Sequence, residues 1–209
     1  MGIVIENDFT VAATPDDTYA LMTDVERVAP CIPGATITGR RDDGAYDALV
    51  GVKMGPMSLT YKGEVRIVEQ DDATRTARML AKATEARGQG TAQAELTMRV
   101  EPADDGGSHV SVSSDILVTG RVAQMGRGIM VDVASRMIGE MAKAMEATLV
   151  ATAEAKERGE APPASVAAEE PSAIGLAADV AKGRIKGLFG RSEEHTSELQ
   201  SRLHLVCRL

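Results

Sequence analysis

The chain has 209 residues, 44% hydrophobic and 26% charged, which suits one globular domain with an appendage. Its net charge of −8 falls on residues 1–157, because Arg158, Lys182, Arg184 and Lys186 offset Glu160, Glu169, Glu170 and Asp179, and residues 191–209 also balance. A domain so acidic is repelled by phosphate backbones, and no Trp, two Phe and three Tyr leave little with which to stack bases, so a nucleic-acid partner is excluded.

In chain order, IVIENDFTV reads as a strand, and Thr14-Pro15-Asp16-Asp17 as a helix start: a hydroxyl cap, proline at the first helical position, acids in the first turn. The helix TPDDTYALM follows, then a helical turn through DVERVA that should stop before Pro30. In PCIPG, two prolines stiffen the backbone around Cys31 and Gly34 lets it turn, giving either a structural corner or a rigid rim (Pro30, Cys31, Pro33, Gly34) on a pocket mouth. From 35 to 118 the period is two: Tyr46, Ala48, Val50 and Val52 alternate with polar or smaller neighbours, as do Leu59, Tyr61, Val65 and Ile67, then Ala94, Leu96, Met98 and Val100. The links RDDG, MGPM, QDDAT, EARGQG and ADDGG are short and rich in turn residues, so six antiparallel strands in a meander are expected. Their paired aspartates are explained by turn hydrogen bonding.

After Gly120 the period returns to 3.6. Val122, Met125, Ile129, Val133, Met137, Met141, Met145 and Leu149 form an apolar stripe on a helix of some 30 residues. The order strand, two short helices, meander, long helix predicts an α+β helix-grip fold, in which a curved antiparallel sheet of about seven strands wraps around a long C-terminal helix. Eleven Met and many small strand residues suit either a plain core or an apolar tunnel between sheet and helix. The candidate lining is Tyr46, Val50, Tyr61, Met79, Ala81, Met98, Met125, Ile129, Val133, Met137 and Met141. Catalytic and metal-binding patterns are scarce: Cys31 has no paired Cys or nearby His, and His109 follows a surface turn. No metal and no resident cofactor are expected.

LMTDVERVAPCIPGA, MGPMSLTYKGEV and TGRVAQMGRGIM together resemble the CoxG-like family, the G-subunit family of carbon monoxide dehydrogenase, within the helix-grip START/polyketide-cyclase-like (SRPBCC) superfamily. The resemblance spans roughly residues 1–150. It implies a non-catalytic accessory protein to a molybdenum carbon monoxide dehydrogenase or a related hydroxylase, with the redox centres carried by other chains. The expected domain is 1–157.

Residues 158–173, rich in Pro, Ala and Glu, are expected to form a disordered linker. Residues 174–190 read as a basic amphipathic segment, with Lys182, Arg184 and Lys186 set against Leu188 and Phe189, suited to an anionic membrane surface or to a partner protein. RSEEHTSELQS is similar to the in-frame translation of a sequencing adapter, so residues 191–209, with His195, His204 and Cys207, are expected to be an artefact that hides the natural continuation beyond Gly190. No run reaches the ~18 apolar residues of a membrane span and the N-terminus lacks signal-peptide features, so the expected location is cytoplasmic, peripheral to the inner face of the cell membrane.

Two functions follow. In the first, the protein is an accessory carrier that holds an apolar ligand, a respiratory quinone being the best candidate, and recruits the dehydrogenase to the membrane. In the alternative, the pocket is an enzyme site of the cyclase or hydrolase kind, with Tyr46, Tyr61 or His109 as acid and base.

Overall fold

The structure, a computed structural model, describes residues 2–54, 57–104 and 106–169. In β1 (Gly2–Val11) the alternation of the sequence buries Ile3, Ile5 and Val11 on one face. Thr14 caps α1 (Pro15–Thr23), its Oγ1 accepting the Asp17 N–H at 3.2 Å. Asp24 does the same for α2 (Val25–Val28), accepting from Arg27 N–H at 3.1 Å. The α-helix stops before Pro30 as expected, but the chain continues as a 3-10 turn over Ala29–Cys31. Pro30 lies near the start of that turn, where its missing N–H is not needed.

The next six strands are β2 (Ala35–Arg40), β3 (Tyr46–Met54), β4 (Met57–Asp71), β5 (Thr76–Glu85), β6 (Thr91–Pro102) and β7 (Ser108–Val118). They form the expected meander, and β1 joins it on β7, giving one antiparallel sheet of seven strands in the order β1-β7-β6-β5-β4-β3-β2. Bulges leave Thr38 unmatched against β3 and Val68 unmatched against β5, and each bends the sheet. The turn aspartates act on backbone: Asp43 accepts from Ala45 N–H at 3.2 Å, and Asp71 from Ala73 N–H at 3.0 Å and Thr74 N–H at 3.3 Å.

The last helix, α3 (Arg127–Glu157), has 31 residues and packs on the concave face. It begins five residues later than the apolar stripe, after a short 3-10 turn at Val122–Gln124 and a positive-φ Gly126. That break resets the helical phase. Met130, Met141, Ala144, Met145 and Leu149 face inward, while Ile129 is 44% exposed, one position out of register with the buried face.

Two apolar clusters result. Beneath the C-terminal half of α3, Met141, Met145 and Leu149 meet Leu21 and Met22 of α1, Val28, Cys31, Met98, Val100 and Val110 in a filled core. Beneath its N-terminal half, Met130 and Val122 meet Ile3, Ile5, Leu59, Tyr61 and Val118.

Past α3, Gly159 adopts φ +70°, its N–H donates to Lys156 O at 3.1 Å and Glu160 N–H to Ala155 O at 2.9 Å, so the chain reverses in a Schellman motif. Residues 160–169 then run back along α3 without helix or strand. Two bonds seat them: Val166 N–H to Thr148 Oγ1 at 2.9 Å and Ala168 N–H to Pro30 O at 2.9 Å. The expectation of a disordered linker from 158 thus gives way, over 158–169, to an irregular but seated strap, because the helix and the PCIPG turn supply partners for backbone groups that composition alone leaves unassigned. Residues 170–173, like the segments 174–190 and 191–209, lie outside the described residues.

Thr148 is the hub of this seam. Its hydroxyl donates to Ala144 O at 2.8 Å, accepts from Val166, and lies 3.6 Å from Cys31 Sγ. Cys31 is fully buried, and burial pushes its thiol pKa up, against the weaker opposing pull of Thr148 and Arg27.

Met145, 0% exposed, tests the helix face. Met145→Asp should cost at least ~3 kcal/mol, from lost packing plus an unpaired carboxylate, whereas Glu146→Ala on the exposed face should stay within ~0.5 kcal/mol; urea midpoints compare the two. For Cys31, the folded thiol has the higher pKa, so its contribution is intact below the unfolded value, ~8.5, and stability declines as pH rises past it. In a Cys207→Ser background, Cys31→Ala should flatten the loss of melting temperature between pH ~8 and ~9.5, the range that brackets an unfolded thiol; an identical slope in both proteins would refute the coupling.

Candidate functional site

Strand register decides which side chains share the concave face. Ala48 pairs with Gly63, Gly63 with Ala83, Ala83 with Ala92 and Ala92 with Val118, a row across five strands with no side chain larger than valine. In the adjacent row Ala81 pairs with Ala94 and Ala94 with Ile116. At Gly63 the strands approach so closely that a Cβ would lie 2.0 Å from Lys82 O and 2.6 Å from Ala83 Cβ, so only glycine fits. Over this floor α3 brings Met130, Val133, Ala134 and Met137. Small side chains below and a helix held at distance by its packing further along leave a cavity of about 270 Å³.

Ile3 and Ile5 of β1, Val50 and Val52 of β3, and Ile116 and Val118 of β7 wall the cavity, with Val122 closing over it. Tyr61 carries the single polar atom among the lining side chains. It pairs across the sheet with Val50 on one side and Glu85 on the other. Glu85 is 4% exposed, and its Oε2 accepts the N–H groups of Arg87 at 2.7 Å and Gln89 at 3.1 Å, tying down the β5–β6 turn. Burial first, and the Glu85 charge second, push the Tyr61 pKa above that of a free phenol.

Of the expected lining residues, the fold brings together Val50, Tyr61, Val133 and Met137 at the cavity. Met125 packs against the same cluster without lining the space. Met98 and Met141 are buried in the filled core and Met79 packs against it. Ala81 lies in the row beside the floor, and Ile129 faces outward for the reason given above. Tyr46 sits at the far end of β3, under the Arg40 guanidinium at 5.5 Å. The expected tunnel is therefore a chamber at one end of the sheet, since methionines and α1 fill the other end.

The expected rim is elsewhere too. Cys31 and Pro33 are fully buried beside α1, α2 and Thr148, and none of Pro30, Cys31, Pro33 and Gly34 lines the cavity. Gly34 reaches it indirectly: its carbonyl accepts the Gly51 N–H at 2.8 Å, and a Cβ there would meet Gly51 O at 2.4 Å, so the corner holds β3 between Val50 and Val52. His109 lies on the outer face, 3.6 Å from Asp8. Lys182, Arg184, Lys186, Leu188 and Phe189 lie outside the described residues.

Sequence reading points to Ala83 and Gly63 as small residues that leave space, but missed Ile3, Ile5, Val52, Ala92, Ile116, Val118, Val122, Met130, Ala134 and Glu85. Alternation in IVIEND and in DILV marks several of them as inward-facing; only cross-strand register shows that they meet.

Solved structures share this architecture. A conserved protein from Geobacillus kaustophilus is similar with a TM-score of 0.63 at 17% identity, over 71% of this chain and 95% of that one. A protein from Thermus thermophilus is similar with a TM-score of 0.50 at 16% identity, over 69% of this chain and 98% of that one. At such identities the likeness speaks to the fold alone. No curated protein matches the sequence. The family model for the carbon monoxide dehydrogenase G-subunit (CoxG) matches residues 8–150, and the segments quoted earlier for that resemblance fall inside the match. With the helix-grip architecture in place and most of the chain matched, the protein belongs to the CoxG family, a family of accessory subunits.

Proposed function

We propose that the protein is a non-catalytic carrier subunit: it holds an apolar ligand in the cavity under α3, serves a molybdenum carbon monoxide dehydrogenase or a related hydroxylase, and reaches the membrane through residues beyond its described part. The observation that carries this reading is the cavity lining, fourteen side chains of which only Tyr61 has a polar atom. Acid–base or nucleophilic chemistry needs convergent polar groups around the reacting atoms. Here Tyr46 and His109, the other candidates for such work, lie away from the chamber.

A respiratory quinone is the ligand that best fits the setting. Oxidation of carbon monoxide releases electrons that leave through the membrane, and a quinone is an apolar carrier of them. The cavity, about 270 Å³, is just under the roughly 300–1,000 Å³ of sites that bury drug-sized ligands, which suits a ring head or a few isoprene units while the rest of a long chain extends outside. Among the described residues no helix is long and apolar enough to cross a membrane. Attachment in this reading is peripheral, because residues 174–190 are basic and amphipathic in sequence, with Lys182, Arg184 and Lys186 for the anionic surface and Leu188 and Phe189 for the layer beneath it.

The test uses the full chain with vesicles of phosphatidylcholine and phosphatidylglycerol containing menaquinone. The wild-type protein should retain quinone through a desalting column and co-sediment with the vesicles. Ala92→Phe should cut retention at least ~10-fold by filling the chamber, at a stability cost of ~1–3 kcal/mol, and leave co-sedimentation unchanged. Replacing Lys182, Arg184 and Lys186 by Ala should weaken co-sedimentation by up to ~100-fold, at about 1 kcal/mol for each charge, and leave retention unchanged. If the folded wild-type chain retains neither quinone nor any lipid, the carrier reading falls and plain recruitment of the dehydrogenase replaces it.

A further inference from the structure

The one polar side-chain oxygen among the residues lining the cavity makes no hydrogen bond with another described residue. Tyr61 is 9% exposed, and its hydroxyl has no hydrogen-bond partner among the described residues. The other buried tyrosine behaves differently: the Tyr19 hydroxyl donates to Thr76 O at 3.2 Å. The Tyr61 ring is largely buried while its hydroxyl keeps some accessible surface, so an acceptor atom of a molecule held in the chamber can pair with it.

The surroundings fix what that atom is. The raised pKa of Tyr61 keeps its proton in place across the physiological range, so the hydroxyl is available as a donor. Directly across the β4–β5 ladder stands Glu85, buried, with one carboxylate oxygen committed to the Arg87 and Gln89 amides. A second carboxylate or a phosphate placed on Tyr61 would face that charge inside a poorly solvated site. A bare hydrocarbon would leave the phenol unmatched.

We infer that Tyr61 is the specificity-determining residue of the chamber: its hydroxyl donates to a neutral carbonyl oxygen of the ligand, while the Glu85 carboxylate turns away anionic head groups such as those of fatty acids. The carbonyl end lies against the Val50–Tyr61–Glu85 row, and the apolar remainder lies over the alanine floor. This assignment rests on the carrier reading and adds to it the residues that would distinguish a neutral carbonyl ligand from a hydrocarbon or an anion.

The experiment measures binding of three probes to the full chain by equilibrium dialysis: 2,3-dimethyl-1,4-naphthoquinone, 2,3-dimethylnaphthalene, which lacks the carbonyls, and 2-naphthoate, which is anionic. The quinone should bind ~10-fold more tightly than the hydrocarbon, in keeping with one buried hydrogen bond, and naphthoate should bind most weakly. Tyr61→Phe should bring the quinone down to the affinity of the hydrocarbon and leave the hydrocarbon where it was. Glu85→Gln should raise naphthoate affinity by roughly threefold or more. Comparison of quinone and hydrocarbon on the wild-type chain needs no variant, so the result stands even where a substitution disturbs folding. Equal binding of those two probes by the wild type, or an equal loss of both in Tyr61→Phe, overturns the assignment to Tyr61 and leaves the carrier reading in place. Binding of none of the three to folded wild-type protein overturns both.

Discussion

A single helix has to cover the concave face of a seven-stranded sheet, and along its 31 residues it meets two different floors. At one end the sheet presents Met98, Val100 and Val110, α1 adds Leu21 and Met22, and the methionines of α3 pack with them in one buried cluster. At the other end the floor is glycine and alanine, no extra helix intervenes, and α3 cannot descend without driving Met145 into a core that is already full. The cavity is thus a consequence of packing at a distance. Its height is set by the filled end, and its emptiness by the residues at Gly63, Ala83 and Ala92.

This division of labour separates stability from ligand capacity along one helix. Apolar burial at the filled end can hold the fold together while the chamber keeps room for a guest. The electrostatics follow the same division. On the solvent side Arg41 with Asp47 and Arg66 with Asp43 tie the β2–β3 turn to β3 and β4, and Arg78 with Glu95 bridges β5 and β6, where each pair is worth at most ~1 kcal/mol. Inside, Glu85 stands near the chamber, and its charge is spent chiefly on the amides of its own turn.

Much of the architecture was legible because local rules and tertiary structure agree. Thr14-Pro15-Asp16-Asp17 is a cap that works through one side chain, and period-two runs bounded by DDG-type turns have little choice but to pair as hairpins. The site was legible only in part. Val50, Tyr61, Val133 and Met137 stood out by size and phase, yet their true neighbours Ala83, Ala92 and Ile3 are assembled by register between strands far apart in sequence. Ile129 misled because the apolar stripe continues through Gly126 as a pattern on paper, whereas the backbone breaks there and restarts the helix one position out of phase. The PCIPG motif misled in another way: stiffness identified a corner, but not which end of the sheet the corner supports.

The strap over residues 160–169 changes where the rest of the chain is attached. Without it, anything tethered to the C-terminal side would hang from the tip of α3. With Val166 seated on Thr148 and Ala168 on Pro30, the chain leaves the domain beside the 3-10 turn instead. A mechanical pull transmitted from beyond residue 169 would therefore load these two backbone hydrogen bonds before it reached the helix. They act in series with the fold, like a fuse: the strap can peel and lengthen the tether by several residues while the helix, and the chamber beneath its other half, stay in shape.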